Sequence, residues 1–305
     1  MTKDKLGDYS STAGSNTDVG GVNIDEGNAP STMNNAVREV MSHLADAYAA
    51  GQFALPNLLL NPNGDINQRG YSSGAATSGG NEYTIDGFKV VTSGQNLSWS
   101  TSGGVRTFTA PAGGVTLTIE GTRFVSGTHV ISWTGTATAT VDAVAKTSGE
   151  TFTLTGGTDA VVIFSGGTFT LPKVERGSDV TTFVHKPTGE ELLDCLRYLW
   201  IITVDDTQFA LQAWPSTTAI CRAKVFPPVP MRILPVLTAT AAEWDLQTAL
   251  AASTTTLSAI AVTDAGDAGN QWHMTLTVGT TPFTDGPAML RAKGGTRTMV
   301  FSAEI

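Results

Sequence analysis

The chain has 305 residues, only 15% of them charged, with a net charge of −9 and an isoelectric point near 4.8. That acidity repels a phosphate backbone and argues against nucleic acid as a partner. Threonine is the commonest residue and glycine numbers 33, a composition suited to short strands joined by tight turns.

Residues 1–5 lead into no apolar run of the length a secretory signal needs, and no window approaches a membrane span. The expectation is a soluble product, not exported by that route. Residues 8–30 are rich in Gly, Ser, Asn and Asp. They carry too few large apolar side chains to offset the entropy of ordering, so the segment is expected to be an extended arm shaped by a partner. From Ser31 the pattern changes. Met33, Val37, Val40, Leu44 and Ala47 recur at spacings of 4, 3, 4 and 3, the seam of a coiled coil. Ser31 or Thr32 is the expected N-cap, the helix should run to about Ala50, and Gly51 stands where a helix stops. A lone helix of about 20 residues is marginal in water, so a narrow seam predicts self-association.

After Pro56, the run Asn57-Leu58-Leu59-Leu60 reads as a short buried strand. Strands are then expected over residues 82–92, 97–101, 105–110, 115–120, 127–133, 134–141, 151–154, 160–164 and 168–171, separated by Gly, Ser and Asn. Glycine pairs such as Gly103-Gly104 and Gly166-Gly167 lie between these runs and not before a helix, which favours hairpin turns over phosphate loops. The segment Thr188-Gly189-Glu190-Glu191 matches a capping box, with Leu192, Leu193, Leu196 and Leu199 as the apolar face of a helix ending near Trp200. Further strands are expected over 201–204, 207–212, 218–226, 236–240, 256–262, 272–278 and 296–305.

Little in the chain points to chemistry. His43, His129, His185 and His273 lie far apart, and the phosphate-loop, zinc-helix and nucleophile-elbow motifs are absent. Cys195 and Cys221 read as buried reduced thiols, with a disulfide or metal role as the alternative. Asp264, Asp267 and Asn270 lack the ligand density of a calcium loop and read as a solvated turn. Catalytic residues, metal ligands and cofactors are therefore none. Trp214, Trp244 and Trp272 stand near turn signals beside polar residues, a setting that suits stacking on a sugar or anchoring a protein contact, with burial in a core as the alternative. Trp200 is expected to be buried.

Three segments carry a resemblance to virion fibre proteins of tailed bacteriophages. GDYSSTAGSNTDVGGVNIDEGNAPSTMNNAVREV (7–40) looks like the leader by which such fibres attach to the particle. NLLLNPNGDINQRG (57–70) is similar to the opening of a β-sandwich module in fibre heads. VERGSDVTTFVHKPTGEELLDCLRY (174–198) looks like the segment that closes that module, and VFPPVPMR (225–232) is a weaker echo beyond it. The resemblance implies a surface-exposed virion protein: a homotrimer docked on other virion proteins through residues 1–30, with Tyr9, Val19, Val22 and Ile24 as attachment contacts. The missing catalytic motifs, the acidity and the lack of an apolar span add the expectations of no enzyme activity, no nucleic-acid partner and no membrane insertion. Host-surface glycan is a further expected partner, through the three tryptophans. The expected architecture is mainly β: an attachment arm (1–30), a trimerising helix (31–51), a jelly-roll or β-sandwich module (52–187) and a distal β domain led by one helix (188–305). Two alternatives remain open at this stage. One is a glycan-cleaving depolymerase, for which Glu243 and Asp245 are the nearest acidic pair. The other is a passive neck, collar or head fibre.

Overall fold

A computed structural model of the chain describes residues 3–5, 8–10, 12–25, 27, 29–206, 208–217, 219–248, 254–267, 271–278 and 287–304. It is mainly β. Two short strands, β1 (Asp18–Val19) and β2 (Val22–Asn23), form a hairpin through Gly20 and Gly21, both at positive φ. Helix α1 (Pro30–Ala49) follows. Its N-cap is Ala29, two or three residues earlier than expected, because Pro30 takes the first helical position, where the missing N–H costs nothing. Gly51 ends it at φ +76° as expected.

The first β body contains β3 (Glu82–Tyr83), β4 (Phe88–Val90), β5 (Ser98–Ser102), β6 (Val105–Ala110), β7 (Val115–Ile119), β8 (Gly127–Thr134), β9 (Thr138–Val141), β10 (Val144–Lys146), β11 (Thr151–Leu154), β12 (Ala160–Ser165) and β13 (Gly167–Arg176). They build a six-stranded sheet, β10-β9-β12-β7-β4-β3, and a five-stranded sheet, β11-β8-β13-β6-β5. Along β12 side chains alternate inward, reading buried, half-buried, buried, half-buried. Phe88, Phe108, Phe164 and Phe169 fill the space between the sheets, with the Phe164 and Phe169 rings stacked 4.4 Å apart. Gly135, in the turn between β8 and β9, has φ +136°, and a Cβ there would lie 2.1 Å from the Thr168 carbonyl oxygen; no other residue fits this crossing.

Residues 57–60 are not a strand. Leu59 is buried and Leu60 nearly so, but the backbone is held by a side chain: Asn57 Nδ2 donates to Pro172 O (2.9 Å), and its Oδ1 accepts from Leu59 N and Val174 N. The segment is tied to the end of β13, where Leu58 N also donates to Val174 O (2.8 Å), while Leu59 and Leu60 are buried.

Helix α2 (Thr188–Leu196) starts where expected but without the capping box and ends four residues before Trp200; of its expected apolar face only Leu196 is buried on the helix, while Leu192 and Leu193 are exposed and Leu199 belongs to the strand that follows. Its N-cap is Pro187, and Glu191 is drawn away into the protein, where its Oε1 accepts from Asn61 N at 2.7 Å. Cys195 packs with Leu60, Ile66 and Tyr198, so α2 lies on the first body. The second body follows: β14 (Leu199–Val204), β15 (Phe209–Pro215), β16 (Ile220–Val225), β17 (Val236–Thr238), β18 (Trp244–Thr248), β19 (Thr254–Asp267), β20 (Gln271–Val278), β21 (Ala288–Ala292) and β22 (Arg297–Ser302). A closed barrel, β15-β16-β20-β19-β18-β21, is accompanied by a three-stranded sheet, β14-β22-β17. Strands β10, β18 and β21 were not expected from the sequence. Asp264 and Asp267 belong to β19 and not to a turn. Thr207, Thr218, Asn270 and Ile305, ends of predicted features, lie outside the described residues.

Candidate assembly surface

Helix α1 has two apolar faces with different fates. One, made of Ala36, His43 and Ala47, is buried. The β1–β2 hairpin packs against it, Tyr9 Oη hydrogen-bonds His43 Nδ1, and the two rings lie 5.8 Å apart. Gly20 meets the Glu39 side chain so closely that a Cβ would stand 2.9 Å from Oε2. Burial, followed by the nearby charges of Asp18, Glu39 and Asp8, pushes the Tyr9 hydroxyl above its ordinary pKa.

This corrects two expectations. The leader is not a bare extended arm, because it folds back on the helix that follows it. Val19 is buried, and Tyr9, Val22 and Ile24 are half-buried. Ala47, expected in the seam between copies, sits on the face that this leader already covers.

The second face is open. Met33, Val37, Met41, Leu44 and Tyr48 recur at spacings of 4, 4, 3 and 4; all are exposed, Met41 at 65%. Val40 lies between the two faces, half-buried. Of this face, sequence reasoning named Met33, Val37 and Leu44 but missed Met41 and Tyr48, and it set Val40 in the same seam. Their spacing from Val37 and Leu44 was the available signal, hidden by fitting the stripe to a single narrow seam. The apolar surface continues past the helix. Exposed Leu55 and Val184 share one groove at the base of the first body, and Leu55 and Val125 share a second.

The helix is fixed to the sandwich at its C-terminal end. Tyr48 Oη donates to Val180 O, Thr182 Oγ1 donates to Tyr48 O (3.0 Å), and Leu55 N donates to Thr181 Oγ1 (3.2 Å). Thr181 is in turn held by a buried ion pair on β13. Lys173 Nζ lies 3.0 Å from Glu175 Oε2, with side-chain exposures of 2% and 0%. Lys173 also donates to Thr181 Oγ1 (2.6 Å) and Thr182 O (3.1 Å), and Glu175 accepts from Thr181 N (2.8 Å) and the Thr181 hydroxyl. Two buried charges are tolerable here because each is paired and hydrogen-bonded.

A second polar node joins the two bodies. Glu120, after β7, takes both Arg197 nitrogens (2.8 and 3.1 Å), Tyr198 Oη (2.7 Å) and Thr122 Oγ1 (2.7 Å). Burial is the largest single influence on Glu120 and raises its pKa. The bonds from Arg197, Tyr198 and Thr122 together outweigh it and bring the carboxyl down to about 2. Nearby, Arg232 pairs with Asp159 (3.0 Å) and Arg69 with Glu304.

The three tryptophans separate. Trp214 is exposed on β15, but Trp244 and Trp272 are core residues at 0% and 1% exposure and present no face to a receptor. The inward phase of β18 and β20 places them in the barrel core with Met274 and Leu246. Trp200, expected to be buried, is only half-buried and stacks on Phe301 at 5.2 Å. Glu243 pairs with Arg297 (3.6 Å), while Asp245 is buried and accepts from Thr256 Oγ1 (2.8 Å). Cys195 and Cys221 are free and buried, and burial pushes both thiols up. Among the described residues no group of three or more His, Cys, Asp or Glu is placed to hold a metal, and no helix is long and apolar enough to cross a membrane. Comparison with protein-family models, with curated proteins and with solved structures finds no match to this chain.

Proposed function

We propose that this chain is a homotrimeric structural protein of a tailed-bacteriophage virion, a short fibre whose N-terminal leader faces the particle and whose two β bodies project toward the host surface. The observation that carries the reading is the open stripe Met33–Val37–Met41–Leu44–Tyr48 on a helix whose other apolar face is occupied by its own leader. A stripe of five large side chains left in water is a site of association. Copies of α1 packed along it bury it in a short bundle, with the grooves lined by Leu55, Val125 and Val184 beside that bundle. The number three comes from the resemblance of residues 7–40 to fibre leaders, since the stripe itself permits more than one stoichiometry. The leader presents its polar surface to the particle, because its apolar side chains are engaged with α1.

The first body fits a jelly-roll class of sandwich. From β6 to β9 the chain passes to the opposite sheet at each step, and it does so again from β10 through β13. Replacing Met41 and Leu44 together by Asp places charge in the proposed seam. Sedimentation equilibrium should then find monomer where the wild-type chain sediments as a trimer, with the unfolding of the two β bodies unchanged. A double variant of undiminished mass would sink the proposal that this stripe drives assembly.

A further inference from the structure

One concave site outside the assembly surface has the make-up of a ligand pocket. It is a cleft of about 450 Å³ at the open side of the sandwich, where edge strand β10 of one sheet approaches edge strand β11 and β8 of the other. That volume falls within the ~300–1,000 Å³ typical of small-molecule sites. Small residues make the space: Ala137 and Ala139 are buried beneath it, and Gly135 is held by its contact with the Thr168 carbonyl. Trp133 lines one side. Its Nε1 donates to Ala137 O (3.2 Å), and its ring packs edge-to-face on Phe164 at 5.4 Å, so the indole is set in place before any ligand arrives.

The turn from β10 to β11 supplies the polar groups. Lys146 Nζ donates to Glu150 Oε1 (2.8 Å), and Glu150 Oε2 accepts from Thr147 N (3.0 Å) and Thr147 Oγ1 (3.1 Å). The turn is tied to β8, since Ser148 Oγ accepts from Trp133 N (2.9 Å) and donates to Trp133 O (2.7 Å). An ammonium has three donors and a carboxylate about four acceptor positions. Lys146 therefore retains free N–H groups and Glu150 a free lone pair, side by side beside the indole. The bond from Lys146, with that from the Thr147 amide, holds the Glu150 carboxyl down to about 2, so it is ionised across the ordinary pH range.

We infer that this cleft is a saccharide site for one pyranose ring, with the ring's apolar C–H face against Trp133 and two vicinal hydroxyls shared between Lys146 and Glu150. The charges cancel, so the site does not select an anion. The donor and acceptor stand together as a vicinal diol requires, and charge-assisted hydrogen bonds are the stronger kind. A rigid indole contributes contact area at little entropic cost. Nothing in this depends on the assembly reading, because every contributing residue belongs to one chain and to the first body.

The test is saturation-transfer NMR and millimolar titration of the full chain with methyl glucoside, methyl galactoside and N-acetylglucosamine. At least one should bind, retain its affinity at pH 4, and lose it more than tenfold in Trp133→Ala and in Glu150→Gln, while Trp214→Ala binds as wild type. Glu150→Gln decides the matter if the tryptophan variant does not fold. Failure of all three sugars to bind the wild-type chain, survival of binding in Glu150→Gln, or its loss in Trp214→Ala would each overturn the inference. The Met41→Asp, Leu44→Asp double variant should bind a single sugar as wild type does, which separates failure here from failure of the assembly reading.

Discussion

Lys173 and Glu175 show how much one pair of side chains can hold. Both are almost fully buried, and beyond their own ion pair their side-chain bonds lead to residues 181 and 182, which in turn hold Tyr48 and Leu55. Removing one partner leaves a charge buried without compensation, so Lys173→Met should destabilise the first body by about 3–5 kcal/mol, measured by denaturant unfolding. The double change Lys173→Met with Glu175→Leu should recover most of that loss, since no charge then remains to be desolvated. The tryptophans teach the opposite lesson. Their neighbours in sequence suggested surface, but along a strand only every second side chain faces inward. That phase, which polar neighbours do not reveal, put Trp244 and Trp272 in the barrel and left Trp214 outside.

Among the elements, the leader and α1 form a unit. The sequence predicted the helix and its Gly51 stop because both are local: apolar periodicity marks the one and a positive φ the other. It did not predict the β1–β2 hairpin, whose strands are two residues each and whose stability comes from the helix they cover. Val19→Asp should therefore release the leader alone. Limited proteolysis should cut residues 8–25 of the variant much faster than those of the wild-type chain, with the unfolding midpoint of the β bodies unchanged. Equal cleavage in both would mean that the hairpin has no hold on the helix in solution. The capping box at Thr188 failed for a comparable reason. Its glutamate was worth more as the acceptor for Asn61 N than as a cap, and that partner lies 130 residues away.

The whole molecule is an N-terminal helix, a sandwich and a barrel joined by polar nodes, and the junction should respond to acid. Glu120 titrates at about 2 in the folded chain against an ordinary value of 4.5. Its folded pKa is depressed, so its contribution to stability is fully present above about pH 4.5 and fades as pH falls toward 2. Glu191 and Glu304, raised by burial, act in the opposite sense: protonation relieves them, so they favour the fold more as pH falls. Glu120→Gln should accordingly cost stability near neutral pH and approach wild type near pH 2, in denaturant unfolding followed across that range. A gap that stayed constant over the whole range would show that the carboxylate charge plays no part at the junction.

By itself the sequence determined the β-rich class, the positions of most strands in the first body, and an amphipathic helix close to residues 30–49. These follow from periodicity and turn chemistry, which act within a few residues. Only the tertiary structure decided which apolar face of α1 is free, which tryptophans are buried, where Glu120 and Lys173 find their partners, and that Trp133, Lys146 and Glu150 share a cleft. Each of those rests on contacts between residues far apart in the chain, and a pattern of short range carries no information about which distant segment will cover it.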